Sequence, residues 1–210
     1  MKVTALKLQS RNKSRVNVYV DGKFAFGLIK IAAAQLAIGQ ELDAAAIERL
    51  QQVDEVGQAY ERALKFLAPR PRSTVEVRRR LTTAQIPAAA IEAVIVRLTR
   101  AGLLDDKAFA GFWVENRATF RPRSKRALQM EMKQKGLPDE AVKEALAETD
   151  DASAAEALAR QRVRRLAGLE YQDFRRKLGE YLARRGFDYD TIQPVVEQAW
   201  KERAEHPSGK

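Results

Sequence analysis

Arginine and lysine side chains are the residues whose type and spacing best fit a chemical task in this sequence. Guanidinium and ammonium groups bind phosphates and carboxylates. Fifteen of these basic residues form three clusters: Arg70, Arg72, Arg78, Arg79 and Arg80; Arg117, Arg121, Arg123, Lys125 and Arg126; and Arg175, Arg176, Lys177, Arg184 and Arg185. Clusters repeated along a chain predict a basic stripe that could follow a nucleic-acid backbone or an acidic protein surface.

The positive charge of the chain is concentrated in its middle. The 210 residues include 38 Lys and Arg and 28 Asp and Glu, which gives a formal net charge of +10. Residues 61 to 135 hold 17 basic and 7 acidic side chains, whereas residues 137 to 157 hold 1 basic and 7 acidic. A single arginine is most often a solvated helix residue, but three clusters at the same internal position favour a functional surface.

Residues suited to catalysis or metal binding are scarce. The sequence has no Cys, and its one His, His206, lies in the polar tail. Thiolate and imidazole chemistry therefore has no candidate residue in the body of the chain. Asp105-Asp106 and Asp150-Asp151 precede apolar stretches, which favours helix N-caps over paired catalytic carboxylates. We predict that the protein is not an enzyme and uses no metal or other cofactor.

The sequence shows neither a membrane span nor a secretion signal. No apolar run approaches the roughly 18 to 20 residues that cross a bilayer. Met1-Lys2-Val3-Thr4 leads into no apolar signal segment. With 45% apolar and 31% charged residues the composition is that of a globular protein. We expect a cytoplasmic protein.

The elements that must position the cations are predicted from the spacing of apolar residues, which divides the chain into a strand-like part and a helical part. Alternating apolar residues between Lys2 and Leu28, with Phe24 on the apolar face, predict three short strands. The pair Asp21-Gly22 predicts a type I′ hairpin between the second and third strands. From Ile29 onward the composition favours helix, with a short helix that ends near Gly39 and a longer one that begins after Asp43.

Apolar residues recur three times in the helical part, at intervals of 50 or 51 residues. The five rows are Val77, Leu128 and Leu178; Leu81, Met132 and Leu182; Ile86, Leu137 and Phe187; Ile91, Val142 and Ile192; and Ile95, Leu146 and Val196. Helix starts are expected at Asp54, Asp105 and Asp150. The pattern predicts three tandem three-helix modules, each too small to bury much surface alone.

The predicted fold is mainly α, with a small N-terminal β extension. Phe109, Trp113, Phe174, Tyr181 and Trp200 fall at core spacing in the modules. The predicted domains are a β extension (1–28), linking helices (29–53), three-helix repeats at 54–104, 105–149 and 150–203, and a polar tail (204–210).

Two motifs stand out in the modules: Arg72-Ser73-Thr74-Val75-Glu76, and Leu103-Leu104-Asp105-Asp106-Lys107-Ala108-Phe109-Ala110. The second module adds Arg117, the turn Arg121-Pro122-Arg123-Ser124 and the segment Lys135-Gly136-Leu137. From about Asp54 to Trp200 the chain resembles the RecX family of bacterial regulators of the RecA recombinase. The third module departs from the pattern, because Asp173-Phe174 replaces the Arg-Ser start.

The resemblance implies an elongated, curved array of three homeodomain-like units. It also implies an inhibitor that binds RecA, occupies the groove of the RecA–DNA filament and restrains strand exchange, ATP hydrolysis and co-protease activity in DNA repair and the SOS response. The partners would be RecA and its filament on single-stranded DNA, with direct DNA contact left open, and we expect a monomer. The candidate contacts are the clustered cations given above, Lys177 excepted.

Two other functions remain open at this point. A stand-alone helix-turn-helix protein would read DNA with its third helices, predicted at 87–100, 138–147 and 189–199, but these are rich in Ala, Glu and Val rather than in side chains suited to base contacts. A scaffold protein would carry the arginines as solvated decoration. The β extension would cap the array, with a possible partner contact through Lys7, Arg11, Lys13 and Arg15.

Overall fold

The structure is a computed structural model that describes residues 1–205, the side chains of the last two excepted. It contains two compact units, Met1–Leu104 and Asp105–Lys210. The elements of the first unit are β1 (Val3–Leu8), β2 (Arg15–Val20), β3 (Lys23–Ile29), α1 (Lys30–Ala33), α2 (Ala44–Leu67), α3 (Thr74–Thr83) and α4 (Ala88–Arg100). Those of the second are α5 (Asp106–Phe120), α6 (Lys125–Gln134), α7 (Asp139–Ala145), α8 (Asp151–Val163), a 3-10 turn (Arg164–Leu166), α9 (Tyr171–Ala183) and α10 (Tyr189–Glu205). The predicted mainly helical fold with a three-stranded N-terminal sheet is confirmed, whereas His206 lies outside the described residues.

The N-terminal sheet is antiparallel, in the order β1-β2-β3. Asp21 and Gly22 have φ of 49° and 80°, which confirms the predicted hairpin turn. A bulge places Ala25 between the paired residues and shifts the register of β3. Phe24 is therefore exposed and meets Tyr19 edge-on, so its predicted place on the apolar face is wrong.

Two predictions for the linking helices are wrong. The short helix α1 ends at Ala33 rather than near Gly39. The long helix α2 begins after Asp43, as predicted, because the Asp43 carboxylate accepts a hydrogen bond from the Ala46 N–H. It then continues without interruption through the boundary expected between residues 53 and 54. No helix therefore begins at Asp54.

Asp54 is instead a buried carboxylate that fixes the sheet to α2. It accepts two hydrogen bonds from the Arg15 guanidinium, at 2.9 and 3.3 Å, and one from the Ile29 N–H at 2.6 Å. The Gln58 side chain donates a fourth at 2.6 Å. Gly57, one turn along, lets the Ile29 side chain approach so closely that a Cβ at this position would collide with it. Arg15 is thus a structural residue, which removes it from the predicted partner contacts.

Each three-helix module has its own apolar core. The first is formed by α2 to α4, the second by α5 to α7 and the third by α8 to α10. Of the recurring apolar residues, thirteen are buried, and Ile86 and Ile192 are half-buried against the same cores. Phe109 and Phe174 are buried in the cores of the second and third modules, while Trp113, Tyr181 and Trp200 are half-buried against these cores. The repeat is therefore the core pattern of three small bundles.

The second and third modules meet at the N-terminus of α6. The Ser124 N–H donates to the Arg185 carbonyl at 3.1 Å, and the Lys125 N–H donates to the Asp151 carboxylate at 2.6 Å. Gly186 has a φ of +93°, and a Cβ there would lie 2.7 Å from both the Ala127 Cβ and the Ser124 Oγ. A backbone carbonyl and a side-chain carboxylate of the third module thus accept hydrogen bonds from N–H groups at the start of α6 in the second module.

Candidate protein and nucleic-acid interface

The fourteen predicted contacts fall into two sets in the folded protein. The paired set consists of side chains that form a hydrogen bond or ion pair with another protein group: Arg70, Arg72, Arg78, Arg117, Arg123, Arg176, Arg184 and Arg185. The unpaired set consists of exposed side chains that form neither with another described residue: Arg79, Arg80, Arg121, Lys125, Arg126 and Arg175. A side chain of the unpaired set can bind an incoming anion without first losing an intramolecular partner.

In the first module, Glu76 holds the arginines that precede α3. Its carboxylate completes a capping box with Ser73, the buried N-cap of that helix. The Arg70 guanidinium contacts the same carboxylate at 2.9 Å. Arg72 lies over the Phe66 ring, 4.1 Å from its centre, and burial together with nearby Arg70 lowers the pKa of its guanidinium below the ordinary value. Arg70 and Arg72 therefore stabilise the entrance to α3.

The three consecutive arginines of α3 have different surroundings. Arg78 forms a two-pronged pair with Glu92 of α4, at 2.9 and 3.0 Å. The Arg79 guanidinium is exposed and has no partner among the described residues. Arg80 is also exposed, and its guanidinium lies 5.8 Å from the centre of the Phe66 ring. Arg79 and Arg80 are the free cations of the first cluster.

In the second module a single carboxylate, Glu131 of α6, collects three donors. The Trp113 indole N–H donates at 2.9 Å and the Arg117 Nε at 2.7 Å. The Arg123 Nε lies 2.8 Å from the other carboxylate oxygen. Arg117 also stacks on the Trp113 ring, 4.2 Å from its centre. Arg117 and Arg123 are therefore committed to holding α5 against α6.

The connection between α5 and α6 presents cations with no acid bound to them. Arg121 and Lys125 are exposed, and their charged groups have no partner among the described residues. Arg126 is exposed and forms no ion pair with another described residue. The pKa of Asp188 is lowered mainly by a hydrogen bond from the Thr191 hydroxyl, and the positive charge of Arg126 adds to this effect. Phe120, next to Arg121, is 75% exposed. Arg121, with Lys125 and Arg126 at the start of α6, forms the largest group of free cations among the predicted contacts.

In the third module most clustered cations are held by α9 itself. Arg176 pairs with Asp173 at 2.9 Å, and Arg184 lies 3.8 Å from Glu180. Arg185 stacks on the Tyr181 ring, 3.7 Å from its centre. Arg175 remains exposed and unpaired, and it lines a groove of about 590 Å³ between α9 and α10. The third module thus contributes one free arginine from the predicted contacts.

Two adjacent exposed cations outside the predicted contacts lie close to the second helix of the third module. Arg164 and Arg165 lie in the 3-10 turn after α8, and neither has a partner within the part of the chain that the structure describes. Their dipeptide is visible in the sequence. It was passed over because the prediction followed the second helix of each module, whereas this turn belongs to the longer connection that only the third module has.

Comparison with known proteins identifies the chain. Family profiles match along it in four segments: the regulatory protein RecX N-terminal domain at residues 1–43, and the first, second and third three-helix domains of RecX at 59–98, 105–146 and 148–196. The chain belongs to the RecX family. The N-terminal match includes the sheet, so the β extension is part of the family pattern in this chain.

Curated relatives and solved structures agree with this family. Regulatory protein RecX of Bacillus licheniformis is 30% identical over 93% of this chain and 76% of its own length. The Bacillus velezensis protein of the same name is 32% identical over the same shares. A crystal structure of regulatory protein RecX matches with a TM-score of 0.74 at 25% identity, over 93% of this chain and 98% of the other. The crystal structure of RecX from Lactobacillus salivarius shares the fold, with a TM-score of 0.61 at 23% identity. The match covers 70% of this chain and 98% of the other.

The RecX relatives are named regulatory proteins, which suggests a role other than catalysis.

Within residues 1–205 no helix combines the length and the apolar character needed to cross a bilayer.

Proposed function

We propose that this RecX protein is an inhibitor of the RecA recombinase that binds in the groove of the RecA–DNA filament. The observation that carries the proposal is the match of all four RecX domains along the chain. The unpaired cations add a physical means, because each module presents at least one at or next to its second helix. RecA carboxylates and DNA phosphates are both suitable partners for them.

The proposed mechanism is occupancy rather than chemistry. Free guanidinium and ammonium groups neutralise anions on neighbouring RecA subunits and on the enclosed DNA, and the bound modules then hinder closure of the filament around ATP. Because several charges act together, binding weakens steeply as salt rises, with a slope of roughly −0.7 per neutralised phosphate on single strands. The paired cations keep the bundles rigid, so that the free ones are presented without a large entropic cost.

The direct test is the ATPase activity of RecA on single-stranded DNA with increasing amounts of this protein. We expect inhibition at ratios near or below one molecule per RecA subunit. The variant Arg79→Glu with Arg80→Glu removes both free cations of the first cluster, and we expect it to need at least about tenfold more protein for the same inhibition. Arg78 stays unchanged because reversing it would break the pair with Glu92.

The control is Lys143→Glu, which changes the charge by the same amount per site on an exposed position of α7 outside the clusters. It should inhibit like the unaltered protein. Co-sedimentation with RecA filaments, assembled with and without DNA, reports binding independently of ATP hydrolysis. Absence of both inhibition and co-sedimentation would overturn the proposal, and equal effects of the two variants would move the contact away from Arg79 and Arg80.

The stand-alone helix-turn-helix function receives no support from the third helices of the second and third modules. In α10 the exposed amides of Gln193 and Gln198 donate to glutamates one turn later, at 3.3 and 2.8 Å. In α7 the exposed residues are mostly acidic, beginning with Asp139 and Glu140. Base contacts in a major groove need free polar side chains on a helix that DNA does not repel. We therefore place direct base recognition second to filament binding.

A further inference from the structure

An apolar groove in the first unit has no part in the proposed function. It lies between α1 with the end of β3 on one side and α2 on the other, and its volume is about 730 Å³. This size is within the range of pockets that bind compact ligands or a few side chains of a peptide. Its apolar lining includes Ile29, Ile31, Val53 and Val56.

Two of these aliphatic side chains are unusually open to solvent. Ile31 is 73% exposed and Val53 is 51% exposed, on opposite walls of the same concave surface. Single exposed aliphatic residues are common on protein surfaces, but two that face one groove form a continuous apolar patch. Covering Ile31 and Val53 would remove apolar area from water that folding alone leaves exposed.

The rim of the groove is positively charged. Lys30 and Arg49 are exposed, and neither forms a hydrogen bond or ion pair from its charged group with another described residue. Arg97 stacks on the Tyr60 ring, 3.9 Å from its centre, and closes one end. Glu61 is the single carboxylate among the lining residues. Three cations against one carboxylate favour an occupant with negative charges next to its apolar side chains.

The groove is already formed in the free chain. The hydrogen bonds of Asp54 to Arg15 and to the Ile29 N–H hold the end of β3 against α2. The missing side chain at Gly57 lets Ile29 lie flat on that helix. A site that needs no rearrangement binds its occupant without the cost of ordering the walls.

We propose that this groove binds an acidic peptide segment of a protein partner, with one or two large apolar side chains inserted between Ile31 and Val53 and carboxylates paired with Lys30 and Arg49. The proposal does not rest on RecA inhibition, since the groove contains none of the clustered cations. It gives the groove between α1 and α2 a docking role of its own.

The test is a selection of peptides from a random twelve-residue library on the full-length protein, followed by affinity measurements by fluorescence anisotropy. We expect enriched peptides that carry Asp or Glu next to Leu, Ile, Phe or Met. Ile31→Glu places a charge in the groove and Arg49→Glu reverses its rim, and each should weaken binding at least about tenfold.

Matched variants separate the groove from general surface effects. Ile38 is 70% exposed and does not line the groove, so Ile38→Glu controls for Ile31→Glu. Arg62→Glu, at an exposed position of the same helix, controls for Arg49→Glu. Each control should bind the peptides like the unaltered protein. Three results would overturn the proposal: no enriched peptide family, peptides without acidic residues, or peptides displaced by a single-stranded oligonucleotide, which would make nucleic acid the occupant.

Discussion

The first and second modules keep an arginine at one of three equivalent positions and fill the other two with different chemistry. These positions lie near the end of the first helix, just before the second helix, and within it. They are occupied by Phe66, Arg72 and Arg80 in the first module and by Arg117, Arg123 and Glu131 in the second, in each case 51 residues later. In the first module Arg72 stacks on Phe66 at 4.1 Å. In the second, Glu131 binds both arginines at 2.7 and 2.8 Å.

This difference shows that position in a repeat does not fix the task of a cation. Arg80 and Glu131 are equivalent, yet one is a free cation and the other is the acid that binds two arginines. In the third module the equivalent residue is Tyr181, on which Arg162 and Arg185 stack at 5.0 and 3.7 Å. An aromatic ring and a carboxylate thus serve the same purpose, which is to hold an arginine against the bundle.

A second comparison concerns the residue that follows the second helix. Gln85, Gly136 and Gly186 are equivalent, and all three have positive φ, at 58°, 72° and 93°. The backbone conformation is therefore the same in the three modules, although only two of them use the residue that adopts it without strain.

The largest effect on stability is expected from Gly186→Ala. The new Cβ would be held at positive φ and would lie 2.7 Å from the Ala127 Cβ and the Ser124 Oγ. We expect a loss of about 3 kcal/mol in the free energy of unfolding, from backbone strain and overpacking together. Urea unfolding followed by tryptophan fluorescence measures it. Gly102→Ala has positive φ but open space around it, so it should cost only about 1 kcal/mol. Equal losses would contradict the close contact at Gly186.

Glu131→Ala should have the next largest effect, because it leaves two arginines and the Trp113 indole N–H without their acceptor. We expect a loss of about 2 kcal/mol in the free energy of unfolding. Trp113 fluorescence in a Trp200→Phe background reports it locally. Glu115→Ala removes the same charge from an exposed position of α5 and should change stability little.

Added salt sharpens this comparison between the modules. The loss caused by Glu131→Ala should shrink as ionic strength rises, because the lost contacts are partly exposed ion pairs. Phe66→Leu removes the ring contacted by Arg72, and its smaller loss should depend less on salt. An equal salt response of the two variants would show that ion pairing does not distinguish the modules.

Gln85→Gly should stabilise the first module. Gln85 is exposed and has a φ of 58°, where an L side chain is strained, and glycine relieves this strain while adding freedom to the unfolded chain. The net gain should be about 0.5 kcal/mol in the free energy of unfolding. Gln35→Gly, at a position where the backbone has negative φ, should give no gain. A lower free energy of unfolding for the Gln85→Gly protein would show that the backbone at Gln85 is not strained.

The smallest effect concerns the N-cap of α8. A hydrogen bond from the Ser153 hydroxyl, followed by those from the Ser153 and Ala152 N–H groups, lowers the pKa of Asp150 below the ordinary value of 3.8. A carboxyl with a depressed folded-state pKa contributes stability above its unfolded pKa and loses it as the pH falls through the folded one. Stability should therefore decline in the acid range below the ordinary value.

Ser153→Ala removes the first of these contacts. The pKa of Asp150 should then rise toward its ordinary value, which a carboxyl-carbon NMR titration measures. The second module already carries Ala108 at the equivalent place, three residues after its own N-cap Asp105. An unchanged Asp150 titration would mean that the backbone N–H groups alone lower its pKa.

The sequence by itself determined the parts of this protein that depend on neighbouring residues. Apolar spacing predicted the three module cores and the three strands, and Asp21-Gly22 predicted the hairpin. N-caps such as Asp105 were visible because a cap bonds to N–H groups two and three residues ahead. Motifs within single modules were enough to indicate the RecX family. The domain boundaries and the individual RecA or DNA contacts remain predictions.

Only the tertiary structure decided which charges are free. Arg78 and Arg79 are adjacent in the sequence, yet one is bound to Glu92, 14 residues away, and the other has no partner among the described residues. Asp54 looked like a helix start and proved to be the buried partner of Arg15, 39 residues before it. The physical reason is that periodicity and capping act along a few residues of chain, whereas an ion pair depends on a distance in space that packing of the helices sets.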